Sequence, residues 1–271
     1  EIIAKAFRDA PDVTRGCFVA GDVATLRRAA KIITGPGQVG LPVAEIRTAS
    51  EALEVPPRCI PVLPVLQAPE LVQVGVISAS AGRMAADCVT WAARAALRGD
   101  IAALVTAPLH KEALAAAGVD FPGHTELLQA EAAAHLGRPV QEVPVRMMLA
   151  NDELKTVLVS IHLSLREAIA AVTTDNVLQT LRLTHEFLLR TSTPGQTRRR
   201  IGVAGLNPHA GEGGLFGREE LDIILPAMEQ ARREGIDVQG PFAPDTVFMR
   251  ARARDAQPGE FDVVVAMYHD Q

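Results

Sequence analysis

The chain has 271 residues and a formal net charge of −5, and 48% of its residues are hydrophobic but only 4% aromatic. This length supplies enough apolar surface for one large domain or two smaller ones, with a core made mainly of aliphatic side chains. The negative charge gives no reason to expect nucleic acid or an anionic membrane as a partner.

The cysteine pattern bounds the cellular compartment. Cys17, Cys59 and Cys88 are far apart and odd in number, which predicts neither a disulfide framework nor a zinc ribbon and favours a reducing cytoplasm. No apolar run approaches the roughly 20 residues needed to span a bilayer, and no signal peptide is recognisable. The first residue is Glu1 rather than Met, so we expect the true start of the chain to lie upstream.

Short apolar runs alternate with longer segments of helical periodicity, which predicts an α/β fold with a mainly parallel or mixed sheet. The predicted strands are Cys17–Ala20, Val72–Ile77, Ala102–Val105, Val145–Leu149, Thr156–Ile161, Ile201–Ala204 and Val263–Ala266. The predicted helices are Val23–Ile33, Gly82–Leu97, Lys111–Ala117, Glu126–Leu136, Leu165–Ala171, Asp175–Leu189 and Glu219–Glu234. The predicted irregular segments are Pro36–Pro69, which can also hold edge strands, and the exposed connection Thr191–Arg200.

One glycine-rich segment imitates a dinucleotide-binding motif. Gly35–Gly40 matches the pattern G-x-G-x-x-G, but Pro42 follows almost at once and no long helix begins there. This pattern indicates dinucleotide binding only when it lies between a strand and a helix. We therefore predict an ordinary turn.

A second glycine-rich segment is the strongest candidate for chemistry. Asn207–Gly214 lies between the apolar run Ile201–Leu206 and an acidic helical segment, so it is predicted to be a loop at the end of a buried strand, where α/β proteins keep their functional groups. Glu219 and Glu220 offset the positive pole of the following helix, which makes that helix end a poor phosphate site. His209 is left as the candidate ligand for a metal or a substrate.

His162 directly follows another predicted strand, Thr156–Ile161. Taken alone, it fits a satisfied core histidine, but together with His209 it suggests two imidazoles that converge on one site. Neutral imidazoles suit Zn, Co, Fe or Mn, and an open site needs a third ligand. No closely spaced pair such as H-E-x-x-H is present, so the spacing alone is a weak signal.

Other polar residues stand beside predicted strands and helices. Lys111 begins a helix, where it either meets an anion or is simply solvated. His124 follows a glycine and is a candidate substrate contact, whereas Thr125 also fits a helix N-cap. His269 and Asp270 follow the apolar run at Val263–Ala266, at the carboxyl end of a predicted strand.

Four segments together resemble the PdxA family, the 4-hydroxythreonine-4-phosphate dehydrogenases and their relatives. They are Thr106–Lys111, Gly123–Glu126, Leu206–Glu212 and Met267–Gln271, and the similarity extends over essentially the whole chain. The resemblance implies two α/β/α domains around a cleft, as in isocitrate and isopropylmalate dehydrogenases. The expected domains are residues 1–110, completed by a C-terminal segment absent from this chain, and residues 111–271, which carry the site and the dimer interface.

The resemblance also implies NAD-dependent oxidation of a hydroxyl group β to a carboxylate, followed by loss of carbon dioxide. A divalent metal ion (Zn, Mg, Co or Mn) would bind His162 and His209, which are thereby the expected metal ligands and catalytic residues. His124 and Thr125 match the substrate pair, to which we add Lys111. Asp270 is expected to have a proton-transfer or cofactor role. The third metal histidine, a Lys/Asn/Arg group of substrate contacts and much of the NAD surface are expected outside this chain, so no NAD contact is assigned.

The leading substrate is 4-phosphohydroxy-L-threonine, the vitamin B6 (pyridoxine) precursor that gives the family its name. The resemblance leaves open 4-phospho-D-threonate, 4-phospho-D-erythronate and the cis-dihydrodiol of terephthalate. It further implies a cytoplasmic homodimer with the active site at the interface. Two alternatives of other classes are a non-catalytic binding module and a serine hydrolase, although G-x-S-x-G is absent.

Overall fold

The computed structural model describes residues 1–35, 37–66, 70–121, 123–191, 199–253 and 257–271. The chain divides into two compact units, Glu1–Pro144 and Val145–Gln271. Each unit contains parallel strands flanked by helices, so the predicted α/β class is confirmed. Part of the predicted connection at 191–200 lies outside the described residues. No helix in the described ranges is long and apolar enough to cross a membrane.

The first unit is built on a three-stranded parallel sheet. In sheet order its strands are β1 (Val19–Gly21), β3 (Ile60–Pro64) and β2 (Val43–Glu45). Its helices are α1 (Ile2–Asp9), α2 (Val23–Ile33), α3 (Ala79–Arg98), α4 (Lys111–Ala116) and α5 (His124–Leu136). The fully buried Ile60 and Val62 of the central strand pack against Phe7 of α1 and Leu26 of α2, which fixes these two helices on the sheet.

Helices α4 and α5 belong with the first unit because they pack against α3. A Cβ atom at Gly82 of α3 would lie 1.9 Å from the carbonyl oxygen of Ala113 in α4, so only glycine allows this approach. Ala86, Leu114 and Leu127 form the buried cluster between the three helices. The units therefore divide after Pro144, whereas the sequence predicted a boundary at residue 110.

The second unit contains a five-stranded mixed sheet. In sheet order its strands are β4 (Met148–Ala150), β5 (Lys155–Leu158), β8 (Val263–Ala266), β6 (Ile201–Ala204) and β7 (Val238–Phe242). Strand β4 is antiparallel to β5, and the other pairs are parallel. The helices are α6 (Leu165–Ala171), α7 (Thr174–Thr191), α8 (Leu225–Arg233) and α9 (Pro244–Ala251), and a π-helical segment, Glu220–Ile224, leads into α8.

Alternating residues of β8 face the two layers of helices around this sheet. Val263 and Val265 are fully buried against α7 and α8, where Leu181 and Met228 lie in the same cluster. Val264 points the other way and packs with residues of α9. This period of two is what a strand buried on both faces requires.

Several predicted elements are confirmed and several are wrong. Helices α2 and α6 and strands β6 and β8 have the predicted bounds. The predicted strands Val72–Ile77 and Ala102–Val105 are wrong: in the described part of the first unit neither run pairs with a strand. Their side chains are largely exposed, and Val105 is 90% exposed.

Strands β2, β3 and β7 and helices α1 and α9 were not predicted individually. Pro61 and Pro64 lie within β3, and Pro241 lies within β7. Proline argues against a strand because it cannot donate a ladder hydrogen bond. The prolines therefore make these two segments look like loops in the sequence.

Candidate functional site

Three histidines lie at one edge of the sheet in the second unit. His162 follows β5, His269 follows β8 and His209 follows β6, and these three parallel strands are neighbours in the order β5-β8-β6. Because the carboxyl ends of parallel strands meet at the same edge, this edge collects all three imidazoles. All three side chains are exposed, so a ligand can reach them.

The turns that carry His162 and His269 are close to each other. The ring centroids are 5.7 Å apart, with an angle of 37° between the ring planes. The hydroxyl of the buried Ser160 donates a hydrogen bond to the carbonyl oxygen of Met267 (3.0 Å), which links the ends of β5 and β8. His162 also has a positive φ of 52°, a region that residues other than glycine rarely occupy.

The loop that carries His209 forms a left-handed turn. The φ angles from His209 to Gly213 are 54°, 52°, 78°, 44° and 66°. Left-handed helical conformation costs about 1–2 kcal/mol for each non-glycine residue, and His209, Ala210 and Glu212 all adopt it. Such strain persists where surrounding contacts hold it, often at functional sites.

A buried carboxylate holds the start of this loop. Glu220 is 2% exposed, and its Oε1 accepts hydrogen bonds from the backbone N–H groups of Leu206 and Asn207, both at 2.7 Å. Its Oε2 accepts a bond of 2.9 Å from Asn207 Nδ2. The same Asn207 amide donates to Glu219 (2.7 Å) and is the main cause of the lowered pKa of the Glu219 carboxyl.

This role of Glu220 does not follow from the sequence pattern, which predicts only a favourable interaction with the helix dipole. A usable signal is the position of Glu220 beside the apolar residues of the helix, which turns an acidic side chain inward and therefore requires partners.

The residues after β8 are tied to the His209 loop as well. His269 Nδ1 lies 2.8 Å from Asp270 Oδ1, an arrangement that leaves Nε2 available to a ligand. The side chain of Gln271 accepts a bond from the Met267 N–H (2.7 Å) and donates one to the carbonyl oxygen of Gly205 (2.5 Å). The ends of β8 and β6 are thereby bridged.

The other predicted site residues lie in the first unit. His124 is the first residue of α5, and its Nε2 is buried without a hydrogen-bond partner. The helix is capped by Gly123 rather than Thr125, so the N-cap interpretation of Thr125 is wrong; the side chain of Thr125 is exposed. Lys111 begins α4 and is exposed.

The histidine edge fits a divalent metal in the chemistry of its donors. Imidazole nitrogen suits zinc and related ions, and the contact between His269 and Asp270 is the kind that orients a metal-bound histidine. Two imidazoles that share an ion have ring centres roughly 5 Å apart, close to the 5.7 Å between His162 and His269. In the arrangement described here, however, no three His, Cys, Asp or Glu side chains in the described ranges are close enough to hold an ion together.

A cluster of histidines at the carboxyl edge of a mainly parallel sheet is the arrangement of an α/β enzyme site. Comparison with known proteins agrees with this class. The sequence matches the family described as pyridoxal phosphate biosynthetic protein PdxA over residues 13–271. The chain therefore belongs to the PdxA family, as its motifs predicted.

Two curated relatives carry different substrate names. Over 271 residues the chain is 46% identical to 4-hydroxythreonine-4-phosphate dehydrogenase of Beijerinckia indica, covering 100% of this chain and 74% of the relative. Over 281 residues it is 42% identical to D-threonate 4-phosphate dehydrogenase of Salmonella typhimurium, covering 100% and 77%. Both names are those of dehydrogenases, so the predicted oxidoreductase class is confirmed.

Solved structures agree with the family assignment. A crystal structure of 4-hydroxythreonine-4-phosphate dehydrogenase from Klebsiella pneumoniae superposes with a TM-score of 0.82 at 37% identity, covering 100% of this chain and 76% of that chain. A terephthalate 1,2-cis-dihydrodioldehydrogenase from Burkholderia xenovorans LB400 superposes with a TM-score of 0.64 at 28% identity, covering 98% and 75%.

Proposed function

We propose that this protein is an NAD-dependent, divalent-metal-dependent dehydrogenase that oxidises the hydroxyl group β to the carboxylate of 4-phosphohydroxy-L-threonine, with subsequent loss of carbon dioxide. The observation that carries the proposal is the presence of His162, His209 and His269 at the ends of three adjacent parallel strands. The choice of substrate rests on the relative at 46% identity that bears this activity in its name.

His269 replaces a ligand that we expected beyond Gln271. Its ring neighbours that of His162, and its strand lies between the strands that precede His162 and His209. We therefore assign the metal to His162, His209 and His269. Because no three donors are yet close enough to hold an ion together among the described residues, metal binding requires a side-chain or loop adjustment at this edge.

Within this proposal Asp270 orients the ring of His269. Its carboxylate accepts the Nδ1 proton, which stabilises the tautomer whose Nε2 can bind a metal. When bound, the ion acts as a Lewis acid on the oxygen of the substrate hydroxyl.

His124, Thr125 and Lys111 are the proposed substrate contacts. The buried Nε2 of His124 lacks a partner in the described structure, and a buried polar atom of this kind is stabilised when a ligand provides one. Lys111 contributes an exposed ammonium group that suits a phosphate or carboxylate.

Membership of the family supports the proposed electron acceptor, oligomeric state, cellular location and pathway. We propose NAD as the electron acceptor, a homodimer with the active site at its interface, a cytoplasmic location and a role in pyridoxine biosynthesis. Nucleic acid and membranes are not proposed as partners, since the net charge is −5.

The second candidate substrate is 4-phospho-D-threonate, because a relative with that specificity in its name is 42% identical. The terephthalate dihydrodiol has weaker support, at 28% identity. A panel of the three substrates, assayed for NADH formation with NAD and zinc, distinguishes them. We expect the highest kcat/KM for 4-phosphohydroxy-L-threonine; a higher value for either other compound would overturn the substrate, and NADH formation from none of them would favour a binding module.

A further inference from the structure

We propose that Glu220 is a positioning residue that holds the His209 loop in its left-handed conformation and so fixes where the His209 imidazole stands. The inference rests on the proposed function only in linking this loop to metal binding. The anchoring role itself depends only on the contact between Glu220 and the backbone of the loop.

The hydrogen bonds of Glu220 go to the first residues of the loop, Leu206 and Asn207, which we call the neck. Leu206 and Asn207 connect the end of β6 to Pro208 and His209, and both donate their backbone N–H groups to one carboxylate oxygen. A carboxylate that is 2% exposed is costly unless donors surround it. Here the donors are the residues that set the direction in which the chain enters the left-handed turn.

Two glycines make room for this carboxylate. A Cβ atom at Gly211 would lie 2.6 Å from Glu220 Oε2, and one at Gly205 would lie 3.0 Å from Oε1. Gly213, two residues after Gly211 in the same turn, would meet nothing within 4 Å. At Gly211 the nearest atom is this carboxylate oxygen, whereas a Cβ atom at Gly205 would first meet Ala210 of the same loop, at 2.8 Å from its Cα atom. Both glycines therefore let the loop pack closely beside Glu220.

A second hydrogen bond connects the neck to the turn that carries His269. The side chain of Gln271 donates a hydrogen bond to the carbonyl oxygen of Gly205. Gly205 directly precedes Leu206 and Asn207, whose N–H groups donate to Glu220. The neck is thus fixed on one side by the helix that contains Glu220 and on the other by the turn that contains His269. Without Glu220, the strained turn loses a contact that opposes its relaxation, whereas the bond from Gln271 remains.

The test is Glu220→Gln, which keeps the volume but removes the negative charge and replaces one of the two acceptor oxygens with an NH2 group, which cannot accept from Asn207 Nδ2. In the metal-free protein, we expect hydrogen exchange at the amides of Leu206 and Asn207 to become at least roughly tenfold faster, since these bonds weaken. With cobalt as the probe, we expect the Kd to rise roughly 10- to 100-fold, as for other residues that orient metal ligands, with a change in the visible cobalt spectrum.

Two controls separate positioning from general stability. Glu229→Gln removes a charge from an exposed position on α8 and should change neither measurement. Leu181→Ala opens the buried core of the second unit and should lower Tm without changing the cobalt Kd. Asn207→Ala, which removes one of the three bonds, should give a smaller shift in the same direction and replaces Glu220→Gln if that variant does not fold.

The two proposals fail in different ways. If the wild-type protein binds no cobalt, the metal assignment is wrong, whereas amide exchange in the metal-free protein still decides whether Glu220 holds the loop. If Glu220→Gln lowers Tm but leaves exchange at Leu206 and Asn207, or the cobalt Kd, at the wild-type value, the positioning role is overturned.

Discussion

The imidazole of His162 lies 5.7 Å from that of His269, measured between ring centroids. The two residues are far apart in sequence and meet because β5 and β8 are adjacent and parallel. This contact places His269 beside His162 and makes it the third ligand of the proposed metal site.

Replacement of His269 by alanine should weaken cobalt binding by more than roughly 100-fold, because it removes a ligand rather than a residue that supports one. Asp270→Asn should have the smaller effect expected of an orienting partner, roughly 10- to 100-fold. Titration of the metal-free protein with cobalt, followed by visible absorption, measures both. His135→Ala, an exposed histidine on α5, is the control, and equal affinity of His269→Ala and wild type would remove His269 from the set.

Two glycines of the His209 loop should respond differently to alanine. Gly213→Ala meets open space and should cost only the left-handed strain of about 1–2 kcal/mol. Gly211→Ala adds a Cβ atom 2.6 Å from Glu220 Oε2, so the overpacking cost raises the loss to about 2–5 kcal/mol. Urea unfolding compares them, and equal losses would argue against close packing of the loop on Glu220.

The pKa of Glu234 is lowered to about 2, first by its bond to Arg182 and then by Gln230. A lowered pKa in the folded protein means that ionised Glu234 favours folding above its unfolded value of 4.5, and that this contribution disappears as the pH falls toward 2. Glu234→Gln should therefore lower Tm slightly at neutral pH, since the pair is exposed. The Tm difference from wild type should shrink to zero as the pH falls from about 5 to about 2. A constant difference would contradict a stabilising ion pair between Glu234 and Arg182.

His124→Ala should raise KM for the substrate while the cobalt Kd stays unchanged. Loss of one hydrogen bond to a charged ligand predicts an increase of roughly 10- to 100-fold. Steady-state kinetics of NADH formation measure the effect, and His135→Ala on the same helix serves as the control. An unchanged KM would exclude His124 from substrate binding and leave its unpartnered Nε2 without an explanation.

Local sequence patterns predicted the parts of the fold that depend on periodicity. The buried runs of β6 and β8 and the amphipathic α2 were found with their observed bounds. Strand β3 does not follow from the sequence because its prolines are typical of a loop. Val72–Ile77 has the composition of a strand but pairs with no strand in the described structure. Strand pairing depends on distant residues, and no local pattern contains that information.

The same limit applies to the site. His162 and His209 were recognised from strand-end positions and family motifs. His269 was noticed as a strand-end residue, but its place beside His162 required the strand order. The role of Glu220 required the path of a loop that bends through five left-handed residues, which spacing along the chain does not reveal.

The most direct test of the central claim is the dependence of turnover on metal. The purified protein should form NADH from NAD and 4-phosphohydroxy-L-threonine, lose this activity after treatment with a chelator, and recover it when zinc or cobalt is added back. His209→Ala should show no recovery under the same conditions. Undiminished NADH formation by the metal-stripped protein would contradict a metal-dependent oxidation.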